Sequence, residues 1–312
     1  MSLRSSTAGE FEGLVDKFSP EQSLEMFRRM CDIRYFESNI ADAHKEEKIK
    51  FPVFYLAMGQ EAMPAALSMA YESPSIFAQH RAHGYYLAYG GNEEELVDEL
   101  LLRPTGCAKG MGGSASIHSP EIKMFGHDGL MGSNIPVGVG YSIGKSFEVP
   151  EGEKENVLIV GGDASWEEGY AQGALAMAAT HKLPTLCICE DNNYSVMTKI
   201  EARRSWEMAD VAEAYGMPAL NITDNPWLIM YWANDMKENL PGFLNIYTSR
   251  LLWHNWAEPN EVIEWDRLEL TRNTLYEMEL KKEAKEIERF SKQKMDSLWN
   301  RKLKEAEKWV GL

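Results

Sequence analysis

The sequence predicts an α/β protein in which a largely parallel sheet carries helices on both faces. The first observation is that short apolar runs alternate with longer segments of helical periodicity from residue 157 to residue 248. Parallel strands need such crossover segments, and the crossover helices cover the sheet on both sides. The second observation is that the chain from residue 263 onward is rich in Glu and Lys spaced four apart. This spacing predicts a charged helical extension at the C-terminus.

The first half of the chain predicts helices, one short strand and glycine-rich loops. Its first helix begins at Ser19 or Pro20, which are typical start residues. The predicted helices of this half span 20–40, 59–71, 93–102 and 136–147, and its strand spans 75–79. In the second half, strands are predicted over 157–161, 185–190, 219–222 and 243–248, and helices over 168–181, 207–215 and 227–239.

These elements predict three parts along the chain. A flexible N-terminal segment spans 1–18, an α/β domain spans 19–262, and the charged helical extension spans 263–312. We expect the extension to pack as a solvated helix on its own subunit, because Glu and Lys recur along it at a spacing of four. The alternative is a helix that binds a partner.

Composition excludes several functional classes. The 312 residues carry a net charge of −16, which argues against nucleic acid or an anionic membrane as the main partner. No run approaches the roughly 20 apolar residues of a membrane-spanning helix. The four cysteines form no Cys-x-x-Cys pair and the chain has no signal-like start. We therefore expect reduced thiols and a cytoplasmic protein.

An acid and an amide directly follow two of the predicted strands. Asp163 follows the apolar run 157–160, and Asn192 follows the run 185–189. Because carboxyl ends of parallel strands share one edge of a sheet, the two side chains can meet. Their oxygen atoms suit Mg²⁺ or Ca²⁺, and Mg²⁺ usually binds together with a phosphate. Either residue alone would also suit a helix cap or a turn, but together they predict a metal–diphosphate site.

Three further clusters carry weaker signals. Arg81 offers a guanidinium fork to diphosphate oxygens, although a surface Arg paired with an acid fits the same pattern. The glycines of 107–114 suit either close approach of the backbone to a ligand or a mobile turn. His254 lies in a segment with two tryptophans and suits either a packed position or a catalytic one.

Taken together, these motifs resemble the α subunit of the thiamine-diphosphate-dependent first component of 2-oxo acid dehydrogenase complexes. Known relatives act on pyruvate, branched-chain 2-oxo acids or acetoin. The resemblance extends from about residue 59 to residue 256. The collinear motifs are GQEA at 59–62, RAHG at 81–84, GCAKGMGGS at 106–114, GLMGSNIPVGVG at 129–140, GGDASWEEG at 161–169, KLP at 182–184 and EDNNY at 190–194.

The resemblance implies a thiamine-diphosphate-binding fold and a site for thiamine diphosphate with Mg²⁺. Asp163 and Asn192 would hold Mg²⁺ through their side chains, and Tyr194 through its carbonyl. His254 would bind the cofactor near its reacting ring and act in catalysis. The other implied cofactor-binding residues are His80, Arg81, Ala164 and Ser165 at the diphosphate, and Gly129 and Met131 at the aminopyrimidine.

The chain departs from the family pattern at four places. Ser114-Ala115-Ser116 stands where the family has Ser-Met-His after the glycine-rich loop, and His118 comes two positions late. Ala164 replaces a glycine, and His80 replaces a tyrosine. In the segment 252–255, one of the family's two histidines and its serine are absent. These departures leave the usual substrate and carrier partner open.

The resemblance also implies a separate β subunit, because the carboxylate that activates the cofactor belongs to that chain in the family. An α2β2 heterotetramer would then decarboxylate a pyruvate-like 2-oxo acid and transfer the acyl or aldehyde unit, with a lipoyl carrier protein as one acceptor. One alternative is a carboligase that adds this unit to an aldehyde or ketone such as a sugar. The other is a non-catalytic assembly subunit, against which the intact Asp163, Asn192 and Arg81 argue.

Overall fold

A six-stranded parallel sheet forms the centre of the computed structural model, which describes residues 4–49, 53–126, 129–148, 155–260 and 262–308. The strand order is β2-β1-β3-β4-β8-β7, and every pairing in this sheet is parallel. A small antiparallel hairpin of β5 and β6 follows β4. The strands are β1 Ser75–Phe77, β2 Met124–Phe125, β3 Val157–Gly162, β4 Thr185–Asp191, β5 Tyr194–Ser195, β6 Thr198–Lys199, β7 Ala219–Thr223 and β8 Gly242–Tyr247.

Helices cover both faces of this sheet, as the sequence predicts. Alternate residues along the strands enter two separate apolar clusters, so that Leu158 and Leu186 belong to one and Ile159 and Cys187 to the other. The α-helices are α1 Pro20–Lys45, α2 Ala62–Ala70, α3 His83–Ala88, α4 Glu93–Leu100, α5 Asn134–Glu148, α6 Asp163–Glu167, α7 Gly169–Thr180, α8 Met208–Ala214, α9 Pro226–Met236, α10 Arg267–Glu277 and α11 Lys281–Glu307. Among the described helices, none is long and apolar enough to cross a bilayer.

The shortest elements of the fold were not predicted from the sequence. Helix α6 begins at the residue directly after β3, and α3 begins within the RAHG motif. Helices of five or six residues are too short to show a repeat of apolar positions. Strand β1 ends two residues before the predicted end at 79, and these two residues lead into the loop that carries His80 and Arg81.

The N-terminal segment, expected to be flexible, lies against the sheet from Arg4 onward. The guanidinium group of Arg4 donates to the carbonyl of Asp191 at 2.7 Å and pairs with Glu264 at 2.7 Å. Ala8 accepts a backbone hydrogen bond from Thr223 of β7 at 2.9 Å. The segment therefore contacts the edge strand β7 and the end of β4.

The C-terminal extension is helical and packs on its own chain. Helix α11 lies along α1, where the ring of Trp299 meets Phe36 edge to face with centroids 5.4 Å apart. Lys302 of α11 also pairs with the buried Asp98 of α4 at 2.7 Å. Residues 309–312, at the end of this extension, lie outside the described residues.

Candidate functional site

The carboxyl ends of β3 and β4 open into a cavity of about 270 Å³. These strands pair in parallel with Gly162 beside Glu190, so the residues that follow them leave the sheet side by side. All ten site residues expected from the sequence line this one cavity. They are His80, Arg81, Gly129, Met131, Asp163, Ala164, Ser165, Asn192, Tyr194 and His254.

Asp163 presents a buried carboxylate that requires a cation. Burial and the neighbouring Asp191 raise the pKa of Asp163 to about 6, while Arg203 opposes this shift. In the chain alone, the guanidinium of Arg203 pairs with Asp163 and, at 2.7 Å, with Glu167. Because a desolvated carboxylate is costly without a partner, this position suits a positive charge.

Asn192 completes the oxygen set beside that carboxylate. Its Oδ1 accepts a hydrogen bond from the backbone N–H of Tyr194 at 3.2 Å, which fixes the turn after β4. Within the described part of the chain, no three His, Cys, Asp or Glu residues cluster as a metal site. One carboxylate, one amide and one carbonyl are hard oxygen donors, so the set fits Mg²⁺ with a phosphate rather than Zn²⁺.

The segment from Gly162 to Ser165 lines the cavity, and the backbone around it is tightly packed. Gly132 has φ +77°, and a Cβ there would lie 2.8 Å from the carbonyl oxygen of Ser165. Ala164 lies within α6 and is absent from the described residues with positive φ. Its methyl group therefore causes no backbone strain where the family has glycine.

Arg81 is buried and hydrogen-bonded to two backbone carbonyls, so it is not a surface residue. It is 3% exposed, and it donates to the carbonyl of Leu56 at 2.6 Å and to the carbonyl of His254 at 2.9 Å. Burial and the nearby Arg250 lower its pKa to about 9. Arg81 therefore joins two loops that are distant in sequence, and it also lines the cavity.

A second buried acid stands behind the wall of the cavity. Glu190 accepts hydrogen bonds from the side chain of Gln79, which lines the cavity, and from the hydroxyl of Tyr85 at 3.0 Å. Burial raises the pKa of Glu190 to about 7. Sequence reasoning missed this group, because nothing in the EDNNY motif distinguishes Glu190 from a solvated acid.

His254 lies in a cluster of three rings. Its ring centroid is 5.4 Å from that of Tyr55 and 5.5 Å from that of His80. Nη1 of Arg250 approaches Nδ1 of His254 at 3.5 Å, and because a guanidinium only donates, Nδ1 is the acceptor. The proton of the neutral ring is thereby assigned to Nε2.

We expect His254 to stay neutral across the physiological pH range. Burial, Arg81 and Arg250 lower its pKa to about 3. The folded chain thus binds this proton less readily than the unfolded chain, so acid destabilises the fold as the pH falls below about 6.5. In NMR spectra of ¹⁵N-histidine-labelled protein, the His254 signals should not shift between pH 5 and 8. The variant His254→Gln assigns them, and a titration midpoint near pH 6.5 would contradict the expectation.

The glycines of the loop 107–114 do not bring its backbone to the cavity, which was one of the two possibilities that the sequence left open. Both carboxylate oxygens of Glu99 accept backbone N–H groups of this loop at 2.8–2.9 Å. The donors are Ala108, Gly110, Gly112 and Gly113. The glycines therefore let the loop close around an internal acid, and it is Ala115, just beyond them, that lines the cavity.

Comparisons with known proteins agree with these observations. Residues 28–239 match the family model described as the dehydrogenase E1 component. The pyruvate dehydrogenase E1 component subunit alpha of Zymomonas mobilis is 32% identical over 250 residues, covering 77% of this chain and 69% of its own length. The subunit of the same name from Rickettsia felis is 27% identical over 300 residues, covering 89% and 90%.

The human mitochondrial somatic form of the same subunit is 32% identical over 182 residues, which covers 58% of this chain and 45% of its own length. The family model ends before Arg250 and His254. The placement of these two residues in the site therefore rests on the geometry of the cavity.

Proposed function

The chain belongs to the dehydrogenase E1 component family, and from this premise we propose that it is the α subunit of a thiamine-diphosphate- and Mg²⁺-dependent enzyme that decarboxylates a 2-oxo acid. The observation that carries the proposal is the convergence of ten residues from separate motifs on one cavity at the carboxyl edge of β3 and β4. Ligands of open parallel sheets bind at such edges.

In this proposal, each group of cavity residues has one task. Asp163, Asn192 and the carbonyl of Tyr194 would hold Mg²⁺, at the carboxylate that pairs with Arg203 in the chain alone. His80 and Arg81, with the backbone of Ala164 and Ser165, bind the diphosphate. Gly129 and Met131 border the aminopyrimidine. When bound, thiamine diphosphate supplies the carbon nucleophile and the electron sink for decarboxylation.

His254 acts on the substrate as a neutral hydrogen-bond donor through Nε2. Arg250 fixes this tautomer from the Nδ1 side, and Arg81 holds the backbone of the same loop. The 2-oxo acid carries carbonyl and carboxylate oxygens that accept such a bond. His254 would therefore orient the substrate instead of giving up a proton at neutral pH.

The cavity supports a site shared with a second chain. Its volume of about 270 Å³ lies below the roughly 300–1,000 Å³ of complete small-molecule pockets. Helices α5 and α7 carry exposed apolar side chains next to the cavity. One of them, Tyr170, donates through its hydroxyl to the carbonyl of Met131, which lines the cavity. This surface includes Val137, Phe147, Tyr170 and Met177, each at least 46% exposed. Large apolar side chains exposed on two neighbouring helices favour an interface at this face.

We propose that this surface contacts a β subunit in an α2β2 assembly. Residues 19–262 would form the cofactor-binding unit, and residues 263–312 would form a helical extension packed against it. If so, the isolated chain binds the cofactor weakly, and the co-expressed α–β complex binds it tightly. At a free cofactor concentration of a hundred times Kd, the complex should gain about 2.7 kcal/mol of stability.

Differential scanning calorimetry with and without thiamine diphosphate and Mg²⁺ measures this gain. Mg²⁺ without cofactor is the control. Tight stoichiometric binding by the isolated chain would contradict the shared site. An unchanged transition of the complex at saturating cofactor would favour a non-catalytic assembly subunit.

One observation favours a carboligase as the second candidate. A side chamber of about 140 Å³ adjoins the main cavity and shares Tyr194, Val196 and Arg250 with it. Trp253 also lines this chamber. A chamber of this size suits a small carbonyl compound as acceptor. Product analysis with pyruvate plus either lipoamide or an aldehyde separates the two candidates, since acetyl transfer without ligation eliminates the second.

A further inference from the structure

The guanidinium group of Arg4 lies where two neighbouring strands of the sheet end. Strand β4 ends at Asp191 and strand β8 ends at Tyr247, and these two residues are paired across the strands. Nη1 of Arg4 donates to the carbonyl of Asp191 at 2.7 Å and pairs with Oδ1 of the same residue at 3.0 Å. Nη2 donates to the carbonyl of Thr248, which directly follows β8. One side chain therefore joins the ends of two strands.

The planar shape of the guanidinium group suits this position. The rings of Tyr247 and Trp265 lie near it, with their centroids 5.8 Å and 5.5 Å from Cζ of Arg4. Its Nε pairs with Glu264 at 2.7 Å, and the side chain of Arg4 is 9% exposed. A lysine ammonium would keep the positive charge, but it lacks the rigid fork of donors that reaches all these partners at once.

The segment that carries Arg4 is itself fixed to the sheet. The backbone N–H of Thr223 in β7 donates to the carbonyl of Ala8 at 2.9 Å. The buried side chain of Arg267 donates to the carbonyl of Ser6 at 2.6 Å. These bonds fix the backbone that follows Arg4, so its side chain reaches the strand ends from a defined starting point.

Asp191 depends on Arg4 for its charge balance. Its side chain is 3% exposed, and besides Arg4 it pairs with Arg204 at 3.4 Å. Its Oδ1 also accepts the backbone N–H of Asn193 at 3.1 Å, so the carboxylate shapes the turn that contains Asn192. Loss of one partner from a buried ion pair leaves a poorly compensated charge. The position of Asn192 therefore depends on Arg4 through Asp191.

The bond to Thr248 extends this dependence to a second loop. The backbone N–H of Thr248 donates to the carbonyl of Asp191 at 2.9 Å, and the same carbonyl accepts from Arg4. The loop that begins at Thr248 carries His254, which lines the cavity, whereas Arg4 does not line it. Any effect of Arg4 on the site must therefore pass through the residues that it holds.

We propose that Arg4 is a positioning residue, which sets the places of Asn192 and His254 by holding Asp191 and Thr248. The inference rests on the proposed function, in which Asn192 holds Mg²⁺ and His254 orients the substrate. Arg4 lies 187 positions from Asp191 and 244 positions from Thr248. It also lies outside the segment 59–256 that contains the site motifs. The geometry of the site thereby depends on a residue that belongs to none of these motifs.

The experiment compares Arg4→Gln, which removes the charge, with Arg4→Lys, which keeps it. Arg272→Gln is the matched control, because Arg272 also pairs with an acid, Glu288, at 2.6 Å, and neither residue lines the cavity. Calorimetric titration of the α–β complex at a fixed thiamine diphosphate concentration gives the Mg²⁺ concentration for half-maximal binding. NMR spectra of the ¹⁵N-histidine-labelled chain, recorded without Mg²⁺ or cofactor, report on His254.

Arg4→Gln should raise the Mg²⁺ concentration for half-maximal binding about tenfold, because the charge-assisted hydrogen bonds to Asp191 are lost. Arg4→Lys should raise it about threefold, and Arg272→Gln should leave it unchanged. The His254 signals should shift in Arg4→Gln and stay in place in Arg272→Gln. In the background of Asp191→Asn, Arg4→Gln should have a smaller effect, since part of its effect passes through that carboxylate.

The outcomes separate the inference from the proposed function. An unchanged half-maximal Mg²⁺ concentration in Arg4→Gln overturns the inference and leaves the proposed function standing. Unchanged His254 signals overturn the part of the inference that concerns the second loop. If Arg4→Gln does not fold, Arg4→Lys decides by the same two measurements. A wild-type complex without stabilisation by Mg²⁺ and cofactor overturns the proposed function, and the inference with it.

Discussion

Replacement of Asp163 by asparagine is expected to abolish Mg²⁺-dependent binding of thiamine diphosphate and to reduce turnover about a thousandfold. The substitution keeps the shape of the side chain but removes the buried negative charge that faces Asn192 across the strand ends. Metal coordination contributes several kcal/mol to a site of this kind, and 1.36 kcal/mol corresponds to a factor of ten. Calorimetry of the α–β complex measures the loss as the disappearance of the stabilisation that Mg²⁺ and cofactor give together.

A matched control for this variant is Asp98→Asn. Asp98 is also buried, but it pairs with Lys302 and Arg103, and none of these three residues lines the cavity. This control should lower the stability of the complex without cofactor while retaining the increase on cofactor addition. If Asp163→Asn retained the full increase, Asp163 would be excluded as a metal ligand.

Replacement of Glu99 by alanine is expected to destabilise the chain by about 4 kcal/mol. Four backbone N–H groups would lose their acceptor at once, and each buried unsatisfied donor costs roughly 1–3 kcal/mol before the loop relaxes. The loop also leads into Ser114 and Ala115, so the wall of the cavity should loosen with it. Urea denaturation followed by circular dichroism gives the free energy of unfolding.

Glu95→Ala is the control for this second variant. Glu95 lies on the same helix, α4, but its side chain is exposed and accepts a hydrogen bond from the side chain of Asn92 at 3.3 Å. Its replacement should change the free energy of unfolding by no more than about 0.5 kcal/mol. Equal effects of the two variants would mean that Glu99 does not organise the loop.

The fold class and the neighbourhood of Asp163 and Asn192 were predictable because they depend on local patterns. The alternation of apolar runs and helical segments identifies a parallel sheet, since parallel strands need crossovers. Once the strands are parallel neighbours, the residues that follow them must share an edge. Asp163 and Asn192 therefore lie together for a reason that is visible in the sequence, and the pairing of β3 with β4 confirms it.

The boundaries of short elements were less predictable. Helix α6 has five residues, which is too short for a periodic pattern, and its Trp166 is buried and donates to the carbonyl of Ile188 at 3.0 Å. The position of Ala164 inside this helix decides that its methyl group is free of backbone strain. The sequence shows the substitution of glycine by alanine but does not show the φ angle.

The sequence by itself determined the sheet, its helical layers and the residue types at the strand ends. Only the tertiary structure decided what the remaining polar groups bind. Arg81 reaches the carbonyl of a residue 173 positions away, Glu99 satisfies the glycine-rich loop, and Tyr55 is held by Ser114 from 59 positions away. Burial and the hydrogen-bond partner together set the pKa and the role of each such group. Both depend on packing between segments that are distant in sequence, so the local pattern of either segment does not predict them.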